Sequence, residues 1–421
     1  MKKWICFLLF LAVCVSFFTG CAPAEEPQPS QLEQPDPQQV TPRPADATFE
    51  NAYKELALDL FRRSAEASRD ENLLISPLSI QLALTMTANG ADGQTRQEME
   101  NILGRGISLE QLNEYLNTYT HNLPSDKKAK LQIANSIWFR DDADRLHVEE
   151  SFLQTNADYY GAEIYKRPFD EATVQEINGW VDQNTDGMID RIVDEISKET
   201  MMYLINAIVF DAEWAEPYEE HAIRDGDFTD LSGTEQLVPM MHTTETTYLS
   251  DGNATGFIKP YSGGKYSFAV LLPNEDVSLY DYINSLTADC LTETLSNAEQ
   301  CTVITQLPKF SYEYELEMND TLKEMRMPTA FDSAAADLTK LGHSDEGNLY
   351  IGKVLHKTFI QVDGMGTKAG AVTSVEINCE SAVEPAPDLR EVIVDRPFVY
   401  MILDSESGLP LFIGCVTEIT E

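Results

Sequence analysis

Histidine and basic residues are scarce, and the motifs that carry most enzyme chemistry are missing. The chain of 421 residues holds six His, at 121, 147, 221, 242, 343 and 356. It has no HExxH, no GxSxG, no phosphate-binding glycine loop and no GxGxxG. No CxxC pair occurs, which argues against a zinc module. Asp141-Asp142-Ala143-Asp144 lacks the Gly and the distant Glu of a calcium loop and reads as a solvated turn. These absences nominate no metal, no cofactor and no catalytic residue. Positive charge is short too: 30 Lys plus Arg stand against 70 Asp plus Glu, a net charge of −40. Such a surface repels nucleic acid, heparin-like polyanions and anionic membranes, and suits a soluble protein working outside a cell. Beyond the N-terminus no run is apolar enough to cross a bilayer.

What is present begins with an export signal. Lys2 and Lys3 precede an apolar run from Trp4 to Phe18, shorter than the ~20 residues a spanning helix needs. The run ends Phe18-Thr19-Gly20-Cys21, which is similar to the bacterial lipobox, although Phe18 stands where Leu is usual. On this reading residues 1–20 are a lipoprotein-type signal peptide and Cys21 is lipidated; an ordinary cleaved signal is the alternative. Residues 21–46, rich in Pro, Gln and Glu, form a disordered tether. The folded part, residues 47–421, then sits on the extracellular face of the bacterial envelope, lipid-anchored or secreted. It touches membrane only through the anchor. Of the other cysteines, Cys290, Cys301, Cys379 and Cys415 belong to the mature chain. A Cys290–Cys301 disulfide and four free thiols both fit the pattern.

The folded part reads as α+β, with helices packed on large sheets. Ser76-Pro77 marks a helix start, and the segment from Leu78 to Met86 is apolar nearly all round, so that helix is buried until Gly90 stops it. Thr95-Arg96-Gln97-Glu98 and Ser108-Leu109-Glu110-Gln111 read as capping boxes. Leu131–Phe139 alternates with strand period, and Leu204–Phe210 is a continuous apolar run suited to a central strand. Tyr266–Leu272, Thr302–Leu307, Glu391–Leu403 and Leu411–Val416 also read as strands. Residues 367–378 alternate. Thr367, Ala369, Ala371, Thr373, Val375 and Ile377 make a small, uncharged face, and the opposite face is mostly polar. Residues 379–389 follow as an exposed loop.

Many short segments, in order from about Phe49 to Gly414, resemble the serpin family. Asn72-Leu73-Leu74-Ile75-Ser76-Pro77-Leu78-Ser79-Ile80 is similar to its first signature. Ile177-Asn178-Gly179-Trp180-Val181 follows, then Leu204–Phe210 with Trp214, Leu307-Pro308-Lys309-Phe310, and Val354-Leu355-His356-Lys357. Asp395-Arg396-Pro397-Phe398 and Leu411-Phe412-Ile413-Gly414 close the match. The resemblance implies a serpin fold of three β-sheets and eight to nine helices, with an exposed reactive-centre loop at about residues 364–392. It implies a protease inhibitor and not an enzyme. A target serine or cysteine protease cuts the loop, forms an acyl-enzyme, and is trapped as the loop enters the main sheet. No cofactor is implied, and the protein is read as a monomer.

Site residues follow from the same resemblance. Gly364, Gly366, Thr367, Ala369 and Ala371 match the hinge. Gly364 and Lys368 replace glutamates common there, and Gly364 is expected to loosen the hinge. Ser76, Ser79, Asn206 and His356 match the shutter, a polar cluster expected to bond mutually, and Trp214 matches the breach where insertion begins. Counting by the family's spacing puts the scissile bond at Glu380-Ser381, with Cys379, Ala382 and Val383 as neighbours. No basic residue is close, so glutamyl, elastase-like or subtilisin-like proteases are expected and trypsin-like ones are not. The stretch from Ile107 to Ser125 lacks the basic cluster of heparin-activated members. The alternative is a non-inhibitory surface binding or adhesion protein on the same scaffold.

Overall fold

The structure, a computed structural model, describes residues 35–367 and 389–419. Cys21, the signal segment, Ala369, Ala371, Cys379, Glu380, Ser381, Ala382 and Val383 lie outside the described residues. In chain order the first half runs α1 (Ala47–Ala67), β1 (Leu73–Ile75), α2 (Pro77–Ala88), α3 (Gly93–Gly104), α4 (Leu109–Asn122), β2 (Ala129–Arg140), β3 (His147–Val148), α5 (Glu150–Tyr160), β4 (Glu163–Arg167), α6 (Glu171–Asn184) and β5 (Met202–Glu213). Next come β6 (Ile223–Thr229), β7 (Glu235–Ser250), β8 (Ala254–Pro260), β9 (Tyr266–Pro273), α7 (Leu279–Ser285), α8 (Ala288–Ser296), β10 (Glu299–Pro308) and β11 (Phe310–Glu317). The chain ends with α9 (Asn319–Glu324), β12 (Gly342–His343), β13 (Leu355–Val362), β14 (Gly366–Thr367), β15 (Leu389–Ile393), β16 (Phe398–Asp404) and β17 (Pro410–Val416).

Three sheets form. The largest joins nine strands in the order β1-β17-β16-β9-β8-β7-β10-β15, with β6 added beside β7. The second, of six strands, runs β11-β13-β14-β5-β2-β4, and β12 and β3 make a short third. The apolar run predicted as a central strand is β5, and it is covered on both faces. Ile205 and Ala207 join Trp138, Tyr165, Ile177 and Trp180 beneath α6. Leu204, Ile208, Phe210 and Ala212 face the main core. Two-sided burial is why the segment reads as unbroken apolar sequence.

Local signals held in most places. Ser76 caps α2, its hydroxyl accepting from the Ser79 N–H, with Pro77 at the first helical position. Ser108 caps α4 in the same way. The box at Thr95 is displaced: α3 begins at Gly93 after Asp92, and Thr95 lies one turn inside. Its hydroxyl accepts instead from the Asp337 N–H at 2.9 Å, and Glu98 holds Thr329. These side chains tie the helix to a distant loop, which outweighs a local cap. The expected strand Glu391–Leu403 is two strands, β15 and β16, in different parts of the large sheet. Pro397 brings no N–H to a ladder, and the chain turns at Asp395. Cys290 carries a free thiol, so it is not bridged to Cys301.

The last residues of the expected tether lie on the domain. Residues 35–46 form neither helix nor strand. The Asp36 carbonyl accepts from Gln154, the Gln38 N–H donates to Asp158 at 2.7 Å, and Arg43 pairs with Glu114 at 2.7 Å over the Tyr115 ring. Asp46 then caps α1 through the Thr48 and Phe49 amides and accepts from the Tyr115 hydroxyl.

Candidate functional site: a strand-wide cleft in the six-stranded sheet

Among the described residues the six-stranded sheet has a gap at its centre. There β14 pairs with both β5 and β13 and contributes, among the described residues, Gly366 and Thr367. Below these residues β5 and β13 become the walls of a cleft of about 760 Å³. Its floor includes Ile80, Leu84 and Thr87 of α2, and its far end includes Leu349 and Ile351. Where Thr367 sits, the walls stand two strand spacings apart, roughly 9.5 Å. The opening therefore has the width of one more β-strand.

The head of the cleft is tightly held. Thr367 is 3% exposed and shares a 2.5 Å hydrogen bond with the Tyr261 hydroxyl. Tyr261 stacks on Trp214 with ring centroids 4.6 Å apart. Trp214 donates from its indole to the Asp363 carbonyl and from its backbone to the Met365 carbonyl, both at 2.9 Å. The Tyr218 N–H donates to the Gly364 carbonyl at 2.8 Å. The turn from β13 into β14 is thus pinned through its backbone at three successive residues. Gly366 is required sterically, because a Cβ there would stand 2.1 Å from the Ala212 carbonyl oxygen. At Gly364 a Cβ would come within 3.0 Å of Ile223 Cδ1, which fills the space a longer side chain needs.

Beneath Tyr218 lies a buried ion pair absent from the sequence-based expectations. Lys259 Nζ is 2.7 Å from Glu245 Oε1, and it sits 4.3 Å from the Tyr218 ring centroid. Burial pushes the Glu245 carboxyl up, and Lys259 opposes that shift. The signal for this pair was a single Lys in the apolar strand Ala254–Pro260, which becomes meaningful only once Glu245 is known to be opposite.

Halfway down, the walls carry polar groups. Three of the four expected shutter residues form one cluster. The Ser76 N–H donates to His356 Nε2 at 3.0 Å, the Ser76 hydroxyl donates to the Leu411 carbonyl, and the Ser79 N–H donates to the Ser76 hydroxyl. Burial pushes the His356 imidazole down to about 4, so it is neutral. Asn206 does not join them. Its amide donates to Asn135 Oδ1 across the β2–β5 ladder at 2.8 Å, and its own Oδ1 is buried with no partner among the described residues. Asn135 was missed because one polar residue in an alternating strand looks like a solvent-facing position.

Comparison with known proteins agrees with this geometry. The profile of the family described as serpin (serine protease inhibitor) matches residues 51–419. Human neuroserpin is 30% identical over 390 residues, covering 88% of this chain and 92% of that one. The crystal structure of a thermophilic serpin, tengpin, in the native state superposes with a TM-score of 0.87 at 46% identity, covering 93% of this chain and all of that one. Against the latent state of tengpin the TM-score is 0.80 at the same identity, over 90% of this chain.

Proposed function

The chain belongs to the serpin family, and on that premise we propose that it is a suicide inhibitor of serine or cysteine endopeptidases. The observation that carries the reading is the cleft. Among the described residues the sheet has a strand-wide gap at its centre with Gly366 and Thr367 seated at its head, which supports it as the receptor for the segment that follows Thr367. In the proposed sequence the protease nucleophile attacks the Glu380 carbonyl carbon. The Glu380–Ser381 bond breaks, Ser381 leaves as a new amine that takes up the proton given up by the nucleophile, and Glu380 stays bound to the enzyme as an ester with a serine or a thioester with a cysteine. The freed segment then adds to the sheet as its missing strand, carrying the enzyme away before water completes hydrolysis. Glutamyl, elastase-like and subtilisin-like enzymes are the proposed targets. Lipidation at Cys21 would hold the inhibitor at the outer bacterial surface, where it shields the cell from extracellular proteases.

Incubation with a panel of these proteases tests the reading. The expected result is an SDS-resistant complex with release of a C-terminal peptide. Cleavage after Glu380 frees 421 − 380 = 41 residues, and mass spectrometry of the peptide reads the bond directly. Clean cutting of the loop with no complex, across the whole panel, would assign the protein to the non-inhibitory binders of the same scaffold.

A further inference from the structure

The short sheet of β3 and β12 sets two histidines side by side. His147 is the register partner of His343 across the antiparallel pair, and their rings stack with centroids 4.6 Å apart and planes 20° apart. Both side chains are exposed, and among the described residues neither ring takes part in a hydrogen bond or an ion pair. The backbone around them is firmly placed. The Glu149 N–H donates to the Leu341 carbonyl at 3.0 Å, and the Leu341 N–H donates to the Gly90 carbonyl at 2.9 Å. Leu341 packs so closely there that a Cβ on Gly90 would stand 2.4 Å from Leu341 Cβ. Arg145 and Glu346 pair at 2.6 Å between the same two segments. The two histidines therefore stand on fixed backbones, and their exposed rings keep the freedom to turn.

That arrangement suits a metal ion. An imidazole nitrogen binds a transition ion at about 2.0–2.1 Å, so two neighbouring ligands on one ion have nitrogens about 3 Å apart. Cβ atoms directly opposite in an antiparallel pair are about 5 Å apart, which brings two imidazoles within that reach. A turn of each ring about its Cβ–Cγ bond moves one nitrogen of each onto a shared ion. Among the described residues no group of three His, Cys, Asp or Glu is placed to hold a metal. A closed structural zinc site, with four protein ligands, is therefore not what the pair builds. A bidentate site with water in the other positions is. Such a site takes first-row ions that accept imidazole nitrogen, and it discriminates against Mg2+ and Ca2+, which take oxygen ligands.

We propose that His147 and His343 form a bidentate surface site for a divalent transition-metal ion. The ion clips β3 to β12, and with β12 the segment whose Leu341 and Leu349 line the cleft. It binds the folded chain alone, because the two residues meet only through the tertiary fold. The site stands independently of the inhibitory reading.

Calorimetric titration of Ni2+ into the untagged full chain tests this. The expected result is one equivalent bound at the pair, tighter for Ni2+ than for Co2+ and for Co2+ than for Mn2+, and not displaced by excess Mg2+ or Ca2+. His147→Asn and His343→Asn should each raise the Kd by at least the amount lost with an outer-shell partner, about 10- to 100-fold. The double variant should bind no more weakly than either single one, because one ring alone does not chelate. His221→Asn, which removes a lone exposed ring beside the Glu219 carboxylate, should leave the Kd unchanged. Labelling of the parent with diethyl pyrocarbonate gives a readout that needs no variant: Ni2+ should protect His147 and His343 together and leave His221 reactive. Parental affinity in either single variant, displacement by Mg2+ or Ca2+, unprotected rings at His147 and His343, or no binding by the parent would overturn the proposal.

Discussion

His356 shows how one side chain is set by its surroundings. Its ring is buried at the junction of α2 and β13, where Nε2 accepts from the Ser76 amide. Burial lowers its folded value to about 4, against about 6.5 in an unfolded chain. Between those values the unfolded chain binds the extra proton and the folded chain does not, so stability rises with pH across that window. The contribution is fully present above pH ~6.5 and is lost as pH falls towards 4, amounting to about 3 kcal/mol. His356→Gln, which keeps an acceptor and cannot titrate, should lose less stability than the parent between pH 7 and pH 4.5 in thermal unfolding. Equal losses would show that the group does not titrate as its burial requires. Gly366 is the complementary case, a residue defined by what it omits, since the Ala212 carbonyl occupies the place of any Cβ.

At the scale of elements, the joint between β13 and β14 closes the head of the cleft. Trp214 and Tyr218 follow β5 and hold that joint by backbone hydrogen bonds, and Lys259 and Glu245 support their rings from below. Removing one partner of a buried ion pair leaves the other charge uncompensated, at a cost of about 3–5 kcal/mol. Lys259→Met should therefore destabilise the chain by about that amount in denaturant unfolding. Lys259→Met combined with Glu245→Leu should lose much less, because no charge is stranded. If single and double variants fall equally, the pair is not what supports the joint. Gly364 belongs to the same element. Its place in the turn is fixed by its carbonyl and by Ile223, so the turn here is held by backbone contacts.

For the whole molecule, the proposed function requires that the sheet be completed only after the chain is cut. Thr367→Arg places a charge where the native side chain is 3% exposed and bonded to Tyr261, so strand addition should stall at its first residue. The variant should be cleaved by a target protease without forming the SDS-resistant complex; undiminished complex formation would remove strand addition as the mechanism. Much of this was legible beforehand. Periodicity and an unbroken apolar run marked β2 and β5, and Ser76-Pro77 marked α2, because these signals depend on neighbours a few residues away. Thr95 misled because its partner is Asp337, 242 residues distant. Asn135, Glu245 and Tyr218 gave no local signal, because a polar residue in a strand acquires meaning only from the residue placed opposite it. By itself the amino-acid order determined the family and most of the elements, both properties of short stretches of chain. Only the tertiary structure decided that Asn206 turns to Asn135 and that Lys259 meets Glu245. Those pairings are made by register between strands far apart in sequence, and register is a property of the assembled sheet.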